Sequence, residues 1–452
     1  MLRLETRRGV QSCDGVTRRD FLRVGSVALG LSLTELAGLQ RLGAASSTEK
    51  ACIQLFLVGG PSQLDTWDPK PEAPEEIRGP FTSIPTNVPG VRISEHFPRM
   101  AARADRYAIL RSVYHSEAPI HETGHQLLQT GHVHRSGVEW PHFGAVADKL
   151  LGRKRDLPSW VVLPSMVQDT GVSVSHGQSS GFLGEGHRPF ILDRHPRCLH
   201  RSDLVSAAPD PARFDNRYAL VDAVDRAHAE VDVLVGAGAP NESQAGALNT
   251  LFGSRVKQAF DIEADSESTR WRYGHNTFGQ SCLLARRLIE RGVRLVTVNM
   301  FDTVFNRITW DCHANGSDLP TTLADYRDVL CPMFDMAYTA LLDDLEGLGL
   351  LGNTLVVSMG EFGRTPKLNV NGGRDHWPGV WSILMAGGGV RGGQVVGRTT
   401  PNAEEPADRP IHAAEITATV YRALGINFGT RLEGPDGRLH RLVEAEPIME
   451  LF

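Results

Sequence analysis

Residues Val356–Val380, VVSMGEFGRTPKLNVNGGRDHWPGV, decide how the rest of the chain is read. Leu355, Val356 and Val357 form an apolar run broken at Gly360, the pattern of a buried strand. Just beyond it stand a carboxylate, Glu361, and a guanidinium, Arg364. After the turn-forming Asn371-Gly372-Gly373 come Arg374, Asp375 and His376 together. Acid and imidazole beyond a strand's C-terminal end is where open α/β sheets build sites. A capped loop with surface ion pairs has the same composition, so the remaining chain must decide between the two.

The same signature recurs upstream. Ala51–Gly60, ACIQLFLVGG, reads as a central parallel strand, and Asp65 and Asp68 follow it. Turn chemistry accounts for these two acids as readily as a metal does. Val293–Met300 is another strand, followed by Trp310-Asp311-Cys312-His313. A third, Tyr107–Tyr114, leads into a segment holding His115, His121, His125, His132, His134 and His142. Within it, His121-Glu122-Thr123-Gly124-His125 opens a helix and places two imidazoles one turn apart, although a glycine interrupts the turn. A helix start also favours anions, so a phosphate or sulfate pocket competes with a metal there.

Ser159–Leu163 and Trp381–Ala386 add strands. Phe278–Glu290, Leu330–Leu348 and Pro410–Leu424 carry helical apolar spacing. The alternation predicts an α/β fold, a doubly wound, mostly parallel central sheet with helices on both faces. Pro71–Pro98 reads as proline-rich surface chain, 169–188 as a long loop with His176 and His187 unassigned, and 201–268 as a helical insertion.

A net charge of −6 and the absence of a long basic run argue against nucleic acid as a partner. The N-terminus, Thr17-Arg18-Arg19-Asp20-Phe21-Leu22-Arg23 before a short apolar run, resembles a twin-arginine export signal. It is expected to span residues 1–45 and to direct the remaining domain, 46–452, to the periplasm or outside the cell. No apolar run is long enough to cross a bilayer. The cysteines outside the signal are odd in number and lack a CxxC pair, so no disulfide framework is expected, and Cys282 reads as core. Gly387–Gly392 fits GxGxxG literally but opens no helix, and neither a Walker loop nor a GxSxG elbow is present.

Carboxylates and imidazoles converging at one sheet edge would suit Zn, Mn or Fe, whereas an all-oxygen set would suit Ca or Mg. One or two divalent ions there would polarise an ester oxygen, and Arg364 or Arg374 could hold a tetrahedral anion.

The blocks FLVGGPSQLDTWDPKP, WDCHANG, GEFGRTP and GGRDHWP, with the leader, resemble an uncharacterised family of exported, sulfatase-like bacterial proteins placed in the alkaline phosphatase superfamily. The resemblance implies a two-metal site in which Asp65 matches the aspartate after the first strand. Glu361 matches the acid of an acid–histidine pair, His376 a later histidine, and Asp311 with His313 the remaining ligands. The chain departs from that pattern in three places. Phe362 stands where the pair has its histidine, His121 stands where a nucleophile is expected, and Asp311 and His313 are unusually close. His121 as ligand or nucleophile, with Thr123 as a weaker nucleophile, fills the second gap.

The resulting expectation is metal-dependent hydrolysis of a sulfate or phosphate ester on a small molecule or polysaccharide. Asp65, Asp311, His313, Glu361 and His376 would be the ligands and Arg364 the anion binder. The alternatives are a lapsed binding module that keeps the fold and a structural metal site without turnover.

Overall fold

The apolar runs become the strands of one nine-stranded sheet. The computed structural model describes residues 50–134, 137–153, 157–171, 176–192 and 259–452. The export signal expected over 1–45 lies outside these residues, as does the helical insertion up to residue 258. The strands are β1 Ala51–Phe56, β2 Tyr107–Tyr114, β3 Trp160–Leu163, β4 Phe190–Ile191, β5 Leu295–Asn299, β6 Thr354–Met359, β7 Trp381–Ala386, β8 Val395–Val396 and β9 Ile411–His412. Their order is β8-β2-β7-β6-β1-β5-β3-β4, with β9 also on β2.

β1 pairs in parallel with β5 and β6, and β3 with β5, while β7 runs antiparallel to both β2 and β6. The single reversal leaves β1, β2, β5 and β6 ending on the same edge of a mostly parallel sheet. That edge receives the loops that carry the acids and imidazoles.

Alternate residues of the strands feed two separate cores. Ile53, Leu55, Val296, Val298 and Val356 pack on one face with α3 Thr277–Arg291 and α4 Cys331–Gly347, through Leu283, Leu288, Leu341 and Leu345. Cys52, Phe56, Leu295, Val357 and Met359 pack on the other with α1 His121–Thr130, α2 Phe143–Leu151 and α5 Ala413–Ala423. Period two in the strands and period 3.6 in the helices thus meet in two layers around the sheet. Cys52, Cys282, Cys312 and Cys331 are buried free thiols.

Three details differ from the sequence expectation. The 71–98 stretch is only partly surface chain: it forms a short helix, Glu75–Arg78, and a ribbon of Ser83–Pro85 with Arg92–Ser94. Ile93 and Phe97 there are fully buried, with Phe97 stacked on Trp67 at 5.7 Å. Their apolar surface outweighs the disorder that proline content implies. The last helix begins at Ala413, because Ile411-His412 pair with β2 and His412 caps the helix in a box with Glu415. A π-helical turn, Tyr326–Leu330, precedes α4, where Pro332 has no N–H to bond the preceding turn.

The glycine inside the α1 turn has a packing reason. A Cβ on Gly124 would lie 2.1 Å from the Glu361 carbonyl oxygen and 2.8 Å from Glu361 Cβ. Only a bare Cα lets α1 lie against the chain leaving β6. Gly124→Ala should therefore lower unfolding stability by roughly 1–3 kcal/mol through overpacking. Urea denaturation midpoints measure this, and an unchanged midpoint would mean that α1 retreats without cost.

Candidate metal centre

The centre is built on Asp311, which the chain after β5 delivers fully buried to the sheet edge. Three imidazoles turn their Nε2 atoms toward its carboxylate: His121 at 3.4 Å from Oδ2, and His313 and His376 at 3.1 and 3.2 Å from Oδ1. Each imidazole is anchored from behind through Nδ1. His121 Nδ1–H donates to Glu361 Oε1 at 2.5 Å, His313 Nδ1–H to Asp375 Oδ1 at 2.9 Å, and His376 Nδ1–H to the Pro119 carbonyl at 2.9 Å. Since carboxylates and carbonyls only accept here, these partners set the tautomer and leave every Nε2 facing inward.

Backbone geometry supplies the rest of the frame. Gly59 (φ +107°) sits where a Cβ would come 2.5 Å from the Asp311 nitrogen. Its N–H donates to Glu361 Oε1 at 2.8 Å. Arg364, wholly buried, donates to the carbonyls of Gly59, Gly60 and Arg374 and ion-pairs with Asp311 Oδ1. His125, one turn beyond His121, has Nε2 3.8 Å from Glu361 Oε2 and packs edge-on against Phe56. Phe362 fills the space between the imidazoles, with ring centroids 4.9 Å from His121 and 4.4 Å from His376.

The electrostatics follow from this packing. Burial opposes ionisation of Asp311, but the Arg364 guanidinium and the three imidazoles outweigh it and hold the carboxyl well below its usual range. Burial likewise works against a charged His121, yet the carboxylates of Asp311 and Glu361 on its two nitrogens raise it to about 9. Burial opposes a charged Glu361 too, and the bond from His121 wins and lowers it. For His376 and His125 burial dominates and lowers each to about 4.

Fit to a cation can be tested on the donors themselves. One ligand atom each from His121, Asp311 and His376 lies within 4.8 Å of the others. Asp311 Oδ2 and Glu361 Oε2 are buried and accept no hydrogen bond. Two imidazole nitrogens, a carboxylate and anchored outer partners match what a Zn-class ion requires. Asp311, His313, Glu361 and His376 thus come together, and His121 joins them.

Three other expected residues are placed differently. Asp65 is fully buried but is held by Arg374 Nε at 2.6 Å and by the Ser62 hydroxyl at 2.5 Å. Arg374 also donates to the carbonyls of Ile77, Thr365 and Pro366. The geometry makes this pair a clamp between the β1 loop and the GGRDHWP segment. Arg364 spends its donors on three carbonyls and Asp311, so no face is turned toward an incoming anion. Thr123 is buried in the first turn of α1.

The histidine-dense segment sorts into separate roles. His142 accepts from the Gly144 N–H as the cap of α2 and stacks on Trp160. His132 stacks on Trp140 with centroids 3.7 Å apart, and His115 packs against Trp381. The contributions of Gly59 and Pro119 come from main-chain atoms. The Gly59-Gly60 doublet directly after an apolar run was the one signal that marked this turn.

A mixed α/β protein with a buried acid–imidazole centre on the parallel edge of its sheet is the class that fold and site define. Residues 49–452 match the family described as "Protein of unknown function (DUF1501)", and the chain belongs to that family. No curated protein matches it. Among solved structures it is similar to the PsFucS1 sulfatase from Pseudoalteromonas sp., at 12% identity over 86% of this chain and 70% of that one, with a TM-score of 0.36. It is also similar to the phosphonate monoester hydrolase SpPMH from Silicibacter pomeroyi, at 12% identity over 88% and 76%, TM-score 0.34. A third is a TAB5 alkaline phosphatase mutant, at 10% identity over 84% and 100%, TM-score 0.34. At these scores the likenesses carry no argument about the site.

The clamp reading separates Asp65 from the centre experimentally. Asp65→Asn should cost about 3–5 kcal/mol, because it leaves the Arg374 charge buried without its partner. Bound metal, measured by elemental analysis of the folded variant, should be unchanged. Loss of an ion with stability intact would return Asp65 to the ligand set.

Proposed function

We propose that this chain is an exported, metal-dependent hydrolase of sulfate or phosphate esters, working at the Asp311 centre. The observation that carries the proposal is the convergence of His121, His313 and His376 through Nε2 on one buried carboxylate. The sequence blocks around these residues, with their likeness to sulfatase-like exported proteins, supply the choice of ester, and the leader supplies the location. His121, Asp311 and His376 would hold the ion, with His313 beside them. Bound there, a divalent cation would polarise an ester oxygen and acidify a water molecule.

The protein's own groups prepare that task. Glu361, Asp375 and the Pro119 carbonyl lock the three rings, so no rotamer freedom is lost when substrate arrives. Arg364 keeps Asp311 ionised and fixes its orientation. Phe362 packs against the rings of His121 and His376, and its ring takes the place of a second-ion ligand, which favours one ion in this centre. His121, with Nδ1 held by Glu361 and Nε2 turned to Asp311, would give its Nε2 lone pair to the ion and serve as a ligand, not a nucleophile. A small-molecule or polysaccharide ester is the substrate class. The one reading that competes is a structural metal site without turnover, favoured by the same Phe362 and by the lack of a free guanidinium at the centre among the described residues.

Protein recovered after export should contain Zn, Mn or Fe, and His376→Ala and Asp311→Asn should each lose one equivalent per chain by elemental analysis. The wild type should hydrolyse 4-nitrophenyl sulfate or phosphate, and chelation should abolish the activity. Metal with no turnover of either ester would leave only the structural site; no metal would end both readings. Asp375→Ala, which frees His313 from behind, should weaken metal affinity about 10- to 100-fold, as outer-partner losses do. A metal competition titration reads this directly.

A further inference from the structure

A second group of metal-donor side chains lies outside the Asp311 centre, on the loops around α1. His134, Glu139 and His176 each offer one ligand atom within 4.8 Å of the other two, and all three are half-buried. Glu139 Oε2 accepts from His176 Nδ1 and lies 3.6 Å from His134 Nδ1. Its other oxygen accepts the Gly177 N–H at 3.0 Å. Behind His176, on the opposite ring nitrogen, Glu122 Oε1 stands 3.7 Å from Nε2. The two rings stack with centroids 4.1 Å apart and planes 13° from parallel.

A simple ion pair explains only part of this arrangement. One protonated imidazole would satisfy Glu139, but two carboxylates flank His176 and a second imidazole lies against it. The stack, with centroids 4.1 Å apart, instead brings two imidazole nitrogens to one carboxylate. His134 Nδ1 is shut off from solvent and makes no hydrogen bond, although its backbone N–H is fixed by the Gln126 side chain. A buried nitrogen without a hydrogen bond, held beside a carboxylate and a second imidazole, is costly unless something else occupies the gap. A divalent cation balances both carboxylates and uses both lone pairs.

We infer that His134, Glu139 and His176 form a second cation site, selective for a Zn-class ion. Two imidazoles and one carboxylate suit Zn, whereas Ca and Mg call for oxygen donors. Glu122 orients His176 from its outer nitrogen, as carboxylates do behind histidine ligands. A bound ion would take the place of the proton shared by His176 Nδ1 and Glu139. The ion would tie α1, through Glu122 and Gln126, to the two loops that follow it. Glu122 adjoins His121 in sequence, so the tie steadies the helix that carries a donor of the first centre. The inference stands whether or not that centre turns over substrate.

The test uses the full chain with Asp311→Asn and His376→Ala, which silence the first centre. Titration of this background with Zn2+ alone should show one bound equivalent, and Co2+ should give visible d–d bands of a nitrogen–oxygen site. Adding His134→Ala or His176→Ala should weaken Zn2+ binding at least ~100-fold, and Glu139→Gln at least ~10-fold. A background that binds no Zn2+, or binding that survives loss of both histidines, overturns the site and leaves only the His176–Glu139 ion pair. Should the background fail to fold, His134→Ala in the wild-type chain decides the matter. Its metal content should then fall by one equivalent with the far-ultraviolet spectrum unchanged, and undiminished content refutes the site.

Discussion

Arg364 and Asp311 form the contact on which the candidate centre depends. Both side chains are fully buried, and removing two charges from water is expensive unless every remaining donor finds a partner. Three carbonyls, from Gly59, Gly60 and Arg374, meet that requirement. The guanidinium therefore joins the turn after β1, the chain leaving β6 and the GGRDHWP segment at one point. Its planar fork is suited to this in a way a lysine ammonium is not. What the pair provides is position: an acid that stays ionised, in one orientation, at the foot of three imidazoles.

Around that acid the charges are arranged in shells. Inward-facing nitrogens meet Asp311, and outward-facing ones meet Glu361, Asp375 and a carbonyl. Burial alone would neutralise every member of the group, as it does for His376 and His125. His121 goes the other way because carboxylates sit on both its nitrogens. Without a cation, a proton on His121 holds the arrangement together, and the same lone pair is what an incoming ion would use.

The strands and helices were legible because their burial is uniform. Leu355–Val357 and ACIQLF are apolar on both faces, and α3 and α4 carry unbroken helical spacing, so period and composition agreed. The antiparallel sense of β7 was not legible, since strand direction depends on pairing partners. Within the centre, acids and imidazoles just beyond strand ends could be read because topology gathers those ends. Asp65 could not be told from a ligand, because its partner, Arg374, lies some three hundred residues away in a different block. Likewise, the histidine-dense stretch looked like one functional unit, but its members point in different directions: two toward Glu361, one toward Glu139, and the others onto tryptophans. The frame contributed by the Gly59 and Pro119 backbone carries no side-chain signal at all.

The hairpin that carries His376 is braced along most of its length and free only at its extreme tip. Gly363–Arg364 and His376–Trp377 pair at its base, and Arg374 bolts that base to Asp65 and to the Ile77 carbonyl. Val370, at its tip, is entirely in solvent. Val370 and Asn371 can consequently be recoloured over generations without shifting the imidazole below them, whereas Leu368 packs on the core and Asn369 holds the His313 carbonyl and Asp375. Related chains could thereby greet different molecules at their surface while keeping the same buried chemistry.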